Sequence, residues 1–341
     1  LSWLGLARTG VSDAGLAHVA GLGALEALHL GSTRVTDAGL AHLAELKSLR
    51  ALLLSKARIQ GPGLQHLEGH ARLEVLHLDD TRVGNAALRH LTDLPRLREL
   101  ELSRTAVTGG GLEALAGLGA LESLGLAGLA LEDASLAALE PHHHLARLDL
   151  ASTPIGPDAL KHLGSRPSLR HLDLSRTGFN DEWVSALQAF PRLQSLRAER
   201  TLLTDLGLGL LSALQDLEAL HVSGTPISGS GLALLQQLPR LTTLDLGATW
   251  LNDNEAKALQ GFGKLAWLSL AGAKLTDALL AHLPGSLRTL YLTRTKITDT
   301  GLTALHRLPL LRELDLRGTS TSEAARDALA KERGVRFVTA P

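Results

Sequence analysis

Cysteine and methionine are absent from this 341-residue sequence, and aromatic residues make up only 3% of it. Without cysteine the chain cannot form disulfide bonds or thiolate metal sites. Lys and Arg number 34 against 35 Asp and Glu, so the chain lacks the positive excess that draws proteins to nucleic acids or anionic membranes. Apolar runs such as 206–211 are far shorter than the roughly 20 residues of a membrane helix. We therefore expect no membrane span and no general affinity for nucleic acid.

An internal repeat organises the sequence. The unit reads LxxLxLxxTxVTDxGLxxLxxLxx and is clearest at 25–48 and 287–310. Successive units start 24 residues apart, except that Leu265 and Leu287 are 22 apart. The units start at Leu1, Leu25, Leu49, Leu73, Leu97, Leu121, Leu145, Leu169, Leu193, Leu217, Leu241, Leu265, Leu287 and Leu311. This spacing resembles the leucine-rich repeat pattern.

Each unit predicts one strand and one short helix. Leucines at positions 4 and 6 of the unit alternate with polar residues, as in a half-buried strand. An apolar residue at position 11 closes the core, and leucines near positions 16 and 19 mark the inner side of a helix. Since one unit cannot bury its apolar face alone, neighbouring units must stack. We expect a curved α/β solenoid of about 14 repeats, with a parallel sheet on the concave face and helices on the convex face.

The domain prediction follows from this continuity. We expect residues 1–341 to form a single domain, and we expect 311–341 to be a C-terminal cap repeat with a final strand at Val335, Phe337 and Val338. Leu1 opens directly with strand residues. We therefore expect an N-terminal cap or a further domain before residue 1, because solenoids need polar caps.

Threonine recurs at two places in the unit. It occupies position 9 in most units, and a second threonine, at position 12, begins the TD dipeptide that precedes the helix. At position 9 a buried hydroxyl can bond the backbone of the turn, and stacked units would turn these bonds into a ladder. In pairs such as Thr204 and Asp205, the hydroxyl is expected to cap the helix and the carboxylate to face the positive end of the helix dipole. The position 9 threonines are Thr9, Thr33, Thr81, Thr105, Thr153, Thr177, Thr201, Thr225, Thr249, Thr295 and Thr319.

The segment TDxGLxxL, present at 36–43 and 298–305, resembles a known class of repeats. It is similar to the cysteine-containing leucine-rich repeats of F-box substrate receptors and to the repeats of bacterial leucine-rich-repeat proteins and GALA-type effectors. Threonine here takes the place of the cysteine or asparagine of that class. The resemblance covers nearly the whole chain and implies a solenoid that recognises a partner. The excess of Arg over Lys and the abundance of Ala, Gly and Leu favour a bacterial source.

Residues on the outward side of the predicted concave sheet change in character along the chain. They are apolar near Leu53 and Val75, carry charges of both signs in units 7 to 9, and become aromatic in units 11 to 13. Aromatic residues and arginines contribute most of the binding energy at protein interfaces. The predicted partner-binding residues are Trp267, Tyr291, Trp250, Arg294, Arg147, Asp149, His171, Asp173, Arg197 and Arg200.

Two features invite other chemistry. Asp149 and Asp173 occupy the same column of adjacent strands, about 5 Å apart, near the separation of glycosidase carboxylates. An open sheet face offers no water-excluding cleft, so we expect no catalytic residues. Arg34, Arg58 and Arg82 form a like-charged column at position 10, which suggests an anion or nucleic-acid site as an alternative.

The leading hypothesis is therefore a non-catalytic scaffold that binds a protein or long peptide on its concave face, as part of a larger bacterial protein. The alternatives are the recognition part of an F-box-like ubiquitin ligase or effector, and an anion or nucleic-acid binder through the arginine column. We expect no cofactor and no metal, and we do not expect a small-molecule ligand. A cytoplasmic location is favoured, with a secreted effector as the other possibility, and the oligomeric state stays open.

Overall fold

The computed structural model describes residues 1–338, so the last three residues of the predicted cap repeat 311–341 lie outside the described part of the chain. The chain consists of two compact units, one spanning Leu1–Asp173 and the other beginning at Leu174. Each unit is built from the same repeat of strand, turn and short helix.

The first unit contains eight parallel strands of three residues, ordered as in the sequence. Equivalent residues of successive repeats pair with each other, for example Leu28 with Leu52. The strands are β1 (Trp3–Gly5), β2 (Ala27–His29), β3 (Ala51–Leu53), β4 (Val75–His77), β5 (Glu99–Glu101), β6 (Ser123–Gly125), β7 (Arg147–Asp149) and β8 (His171–Asp173).

The second unit continues the pattern, again with parallel strands in chain order. Its last strand comprises only two residues and follows Val335. The strands are β9 (Ser195–Arg197), β10 (Ala219–His221), β11 (Thr243–Asp245), β12 (Trp267–Ser269), β13 (Thr289–Tyr291), β14 (Glu313–Asp315) and β15 (Arg336–Phe337).

The helices are short, and many are 3₁₀ rather than α, because only about two turns fit between the TD segment and the next strand. The α-helices are α1 (Asp13–Leu16), α2 (Asn85–Leu88), α3 (Ala159–Leu163), α4 (Asp205–Leu210), α5 (Leu232–Leu235), α6 (Asp299–Leu302) and α7 (Glu323–Arg333). The 3₁₀ helices are Ala17–Val19, Gly39–Leu43, Pro62–Leu67, Arg89–Leu91, Gly109–Leu115, Asp133–Leu139, Asp181–Ala189, Leu211–Ala213, Glu255–Gly261, Asp277–His282 and Thr303–Arg307.

The core lies between the strands and the helices. In repeat 2, Leu28, Leu30 and Val35 are completely buried, as the alternation predicted. The central leucine of each strand from β2 to β14 is buried in the same way. This leaves the first and third residues of each strand on the opposite, open face of the sheet.

The position 9 threonines form the predicted bond to the turn. In each of the eleven, Oγ1 donates to the main-chain oxygen of the residue three before it, as in Thr201 to Ala198 at 2.7 Å. The bond stays within its own repeat. These hydroxyls therefore stabilise the turn, and the same bond recurs at the equivalent position of other repeats.

The residue at position 8, just before the position that threonine usually occupies, adopts a left-handed conformation in every repeat. Such a conformation suits glycine and strains side chains that carry a Cβ. Its φ lies between 51° and 73° in the residues Arg8, Ser32, Lys56, Asp80, Arg104, Gly128, Ser152, Arg176, Arg200, Gly224, Ala248, Gly272, Arg294 and Gly318. Two of the predicted partner-binding arginines therefore sit in tight turns.

At the start of the helices, the residue at position 13, aspartate in most repeats, forms hydrogen bonds to the next repeat. Asp13 accepts bonds from the main-chain N and Oγ1 of Thr36, at 2.7 and 2.6 Å. Asp205 accepts from Ser228, Gly229 and Gly231 of the next repeat. The carboxylate lies in the first turn of its own helix, as expected, and it also binds the loop of the following repeat. The same role falls to Asp37, Asn85, Asp133, Asp181, Asp253, Asp277 and Asp299.

This link explains the glycine two positions further along the motif. A Cβ at Gly231 would lie 2.5 Å from the main-chain oxygen of Asp205. In the repeat of Gly61, glycine stands at the aspartate position and the next repeat has Ala87 at the glycine position. A Cβ at Gly61 would lie 2.6 Å from the Cβ of Ala87. The two positions therefore share one small volume between adjacent repeats.

We predict that Thr201→Val lowers the free energy of unfolding by about 1–3 kcal/mol, because the buried carbonyl of Ala198 loses its donor. Thr303→Val is the matched control. Its hydroxyl also bonds the carbonyl three residues back, but in an exposed position, so we expect a change within about 0.5 kcal/mol. Urea unfolding measures both. Equal effects would refute a special role for the buried column.

We predict that Asp205→Ala costs about 2–3 kcal/mol at pH 7, because several donors of the next repeat lose a charged acceptor. Burial raises the pKa of Asp205, but the hydrogen bonds from Ser228, Gly231 and Gly229 outweigh it and hold the pKa below its ordinary value. The contribution is therefore complete above about pH 4 and disappears as the pH falls through the lowered pKa.

Urea unfolding from pH 7 down to pH 2 tests this, with Asp216→Ala as the control. Asp216 forms an exposed ion pair with Arg240, which contributes about 0–1 kcal/mol. A difference between Asp205→Ala and the parent that persists unchanged at pH 2 would contradict the prediction.

Candidate functional site

The open face of the sheet carries the side chains that a partner could reach. On β12 and β13, Leu268 and Leu290 are buried, while Trp267 and Tyr291 point to the open face and are partly exposed. The strand alternation therefore places both predicted aromatic residues on the accessible side.

Trp267 and Tyr291 pack against each other. Their ring centroids are 5.3 Å apart, with the planes inclined by 45°. In the parallel register Trp267 lies opposite Thr289, so Tyr291 is its diagonal neighbour, a spacing that long aromatic side chains can bridge. On the other side, the ring of His221 lies 6.0 Å from that of Trp267. We call His221, Trp267 and Tyr291 the aromatic cluster.

Trp250 and Arg294 were predicted to belong with these residues, and the structure places them elsewhere. Trp250 follows β11 at position 10 of its repeat, where its main-chain N bonds Ile227, and its side chain is 70% exposed. Within residues 1–338, the ring contacts of the aromatic cluster do not include Trp250. Arg294 lies in the left-handed turn after β13.

Arg294 borders a cavity of about 620 Å³ beside the aromatic cluster's strands. Arg317 on the same cavity is held by Asp315, with nitrogen to oxygen distances of 2.6–3.0 Å. Burial raises the pKa of Asp315, but the bonds from Arg317 and Thr293 outweigh it, so the pKa is lowered and the carboxylate stays ionised. The lining residues are Ala248, Ala271, Gly272, Thr293, Arg294, Arg317 and Gly318.

The charged residues predicted in repeats 7 to 9 are divided between the two compact units. Arg147, Asp149, His171 and Asp173 belong to the first, where Arg147 pairs in register with His171 and Asp149 with Asp173. Asp149 accepts a bond from the main-chain N of Ala151 at 2.8 Å.

In the second unit, Arg197 forms an ion pair with Glu199, and Arg200 lies exposed in its left-handed turn. An ion pair at this exposed position contributes little to stability.

Glu101 is a partly buried acid on the open face and was not among the residues predicted from the sequence. Burial raises the pKa of Glu101, and the negative charge of Asp149 raises it further. The hydrogen bond that Ser103 donates to the carboxylate lowers the pKa, but by less. Room for its carboxylate comes from Gly125 on the next strand, since any side chain there would collide with it. A glycine in the middle of a charged face was the available signal.

We predict that Glu101→Gln stabilises the protein at pH 7. The folded state raises the pKa of Glu101, so the native structure favours the neutral form and loses stability as the pH rises through that value. The gain should vanish near pH 3, where Glu101 is neutral in both states. Thermal unfolding at both pH values measures this, with exposed Glu113→Gln as the neutral control. A loss of stability at pH 7 would contradict it.

Arg34, Arg58 and Arg82 occupy the segment between sheet and helix rather than the open face. Their main-chain nitrogens bond the preceding repeat, and their side chains are exposed. Within residues 1–338, the three guanidinium groups form no hydrogen bond or ion pair. Arg82 also borders a cavity of about 400 Å³ together with Arg89 and His90.

Three further polar groups meet at the carboxyl ends of β9, β10 and β11. Glu199, His221 and Asp245 each offer one ligand atom, and these atoms all lie within 4.8 Å of one another. No metal site was predicted from the sequence. The grouping depends on side chains of three repeats, which a linear pattern does not bring together.

Comparisons with known proteins agree with this architecture. Residues 95–116, 166–187 and 286–305 match the family described as Leucine Rich repeat. The fold is that of leucine-rich repeat proteins. No curated protein sequence matches the chain significantly. Among the described residues, no helix is both long and apolar enough to cross a membrane.

Solved structures with this fold share little sequence with the chain. An internalin of Listeria monocytogenes aligns at a TM-score of 0.60 and 20% identity, covering 100% of this chain and 87% of its own. TLR13 in complex with ssRNA13 gives 0.63 and 19%, covering 99% and 55%. The ectodomain of the Arabidopsis thaliana receptor kinase GASSHO1/SCHENGEN3, in complex with CASPARIAN STRIP INTEGRITY FACTOR 2, gives 0.52 and 18%, covering 94% and 42%. These likenesses establish the fold alone.

Proposed function

We propose that this chain is a non-catalytic binding module that recognises a protein or peptide segment on the open face of its sheet, with the aromatic cluster as the main contact. The observation that carries the proposal is the packing of Trp267 against Tyr291 and His221 on an accessible surface. Rings that hold one another in place lose little conformational freedom when a partner binds.

The chemistry of the surrounding residues favours a particular kind of partner. Trp, Tyr and Arg are the residue types most enriched among those that dominate interface energies. Arg294 and Arg200 are exposed cations in the same compact unit. We infer that the partner presents an apolar or aromatic side chain to the aromatic cluster and acidic residues to the arginines.

The structural neighbours support the general class of function. The plant receptor ectodomain was solved with CASPARIAN STRIP INTEGRITY FACTOR 2 bound, and leucine-rich repeat scaffolds are typical of recognition rather than catalysis. The F-box-type or effector context and the bacterial source remain predictions from the sequence resemblance.

A nucleic-acid ligand is the second candidate, favoured by one observation. TLR13, a neighbour in fold, was solved in complex with ssRNA13, and Arg34, Arg58 and Arg82 form an exposed column of cations. Binding through such a column would weaken steeply with salt. Arg58→Glu would then abolish it and leave peptide binding intact.

The proposal is tested by selecting peptides from a displayed random library on the full chain and measuring their affinity for variants. We expect Trp267→Ala and Tyr291→Ala each to cost about 2 kcal/mol or more, roughly thirtyfold in Kd. Trp250→Ala, which removes an exposed tryptophan outside the aromatic cluster, should leave the affinity unchanged.

Surface plasmon resonance and a competing single-stranded RNA distinguish the candidates. Peptides that bind the Trp267 and Tyr291 variants as tightly as the parent would overturn the proposed surface. Tight RNA binding that is lost in Arg58→Glu, with no selectable peptide, would favour the second candidate.

A further inference from the structure

Glu199, His221 and Asp245 combine an imidazole with two carboxylates at one point on the open face of the sheet. Glu199 lies two residues beyond the end of β9, while His221 and Asp245 end β10 and β11 and pair in register. Consecutive parallel strands are about 4.8 Å apart, so in-register side chains here converge on one volume. Their ligand atoms lie within 4.8 Å of one another.

We propose that these three side chains bind a divalent transition-metal ion, with Zn²⁺ as the representative ion. Zinc takes imidazole nitrogen and carboxylate oxygen at about 2.0–2.2 Å, which places tetrahedral ligands about 3.3 Å apart. The side chains therefore need movements of only about 1 Å to close around the ion. Three protein ligands leave a fourth position for water on the open side.

The donor set also selects the class of metal. Ca²⁺ takes six to eight oxygen ligands and Mg²⁺ requires an octahedral oxygen shell, which one imidazole and two carboxylates do not supply. Imidazole suits Zn²⁺, Cu²⁺ and Ni²⁺. We therefore expect Zn²⁺ to bind and Mg²⁺ and Ca²⁺ not to compete.

Neighbouring groups orient the ligands and moderate the charge. Asp245 Oδ1 accepts a bond from the main-chain N of Gly247 at 3.0 Å, which holds the carboxylate in place, as outer-shell bonds do in metal sites. Arg197 pairs with one oxygen of Glu199 and leaves the second oxygen for the ion. Its positive charge offsets one carboxylate, so we expect micromolar rather than nanomolar affinity.

Other histidines of the chain provide a matched comparison. His77 lies 2.7 Å from Glu99 on the open face of the first unit, a pair of one imidazole and one carboxylate. Within residues 1–338, Glu199, His221 and Asp245 are the one group of three such side chains with converging ligand atoms. A metal ion that bound any exposed histidine would bind at His77 as well as at His221.

The experiment titrates the untagged full chain with Zn²⁺ by calorimetry, and with Cu²⁺ while tryptophan fluorescence is recorded. We expect one Zn²⁺ per chain, and at least tenfold weaker binding in His221→Gln, Asp245→Asn and Glu199→Gln. His77→Gln should bind like the parent. Because Trp267 lies 6.0 Å from His221, Cu²⁺ should quench a saturable part of the fluorescence that is missing in Trp267→Phe.

Two results would overturn the proposal. One is no saturable Zn²⁺ binding by the parent, and the other is equal binding by the parent and the His221, Asp245 and Glu199 variants. Thermal unfolding without metal confirms that each variant is folded. The test requires no partner, so it is independent of the proposed peptide recognition.

Discussion

A carboxylate in one repeat that accepts hydrogen bonds from the backbone of the next sets how the repeats of each unit stack. In Asp205 one side chain satisfies main-chain donors at Ser228, Gly229 and Gly231, at a loop where no strand or helix supplies acceptors. The bond holds the helical side of two repeats in the same register as the strands. Columns of equivalent residues on the open face follow from that register, and with them the grouping of side chains from several repeats.

The repeat period and the alternation of leucines were sufficient to predict the strands, the core and the threonine bonds to the turn. They did not predict the links between repeats, because those join residues 21 to 26 positions apart. A signal was nevertheless present in the sequence. Glycine at the fourth position of TDxG mostly follows a repeat that carries aspartate or asparagine, whereas Ala87 and Trp183 follow repeats with Gly61 and Pro157 at that place. Trp183 is accordingly buried.

For the candidate site, the sequence selected Trp267 and Tyr291 correctly as residues of the open face, because side-chain direction in a strand follows position. It did not identify His221 as their neighbour, since the contact depends on the length of a tryptophan side chain reaching diagonally. The sequence analysis grouped Trp250 and Arg294 with them. Both residues lie after the end of a strand, so the alternation within the strand does not determine the direction of their side chains. The raised pKa of Glu101 depends on burial by neighbouring strands, which composition does not report.

The shared volume between the aspartate of one repeat and the glycine of the next makes the repeats directional building blocks. A repeat that carries an aspartate such as Asp205 leaves little room beside its main-chain oxygen for a side chain at the glycine position of the next repeat. Most junctions pair a large residue with a small one, but Asp253 is followed by Leu279 and still accepts both bonds from Thr276. Duplicating, deleting or transplanting repeats in this scaffold therefore creates favoured and disfavoured junctions, which depend on two positions of each repeat.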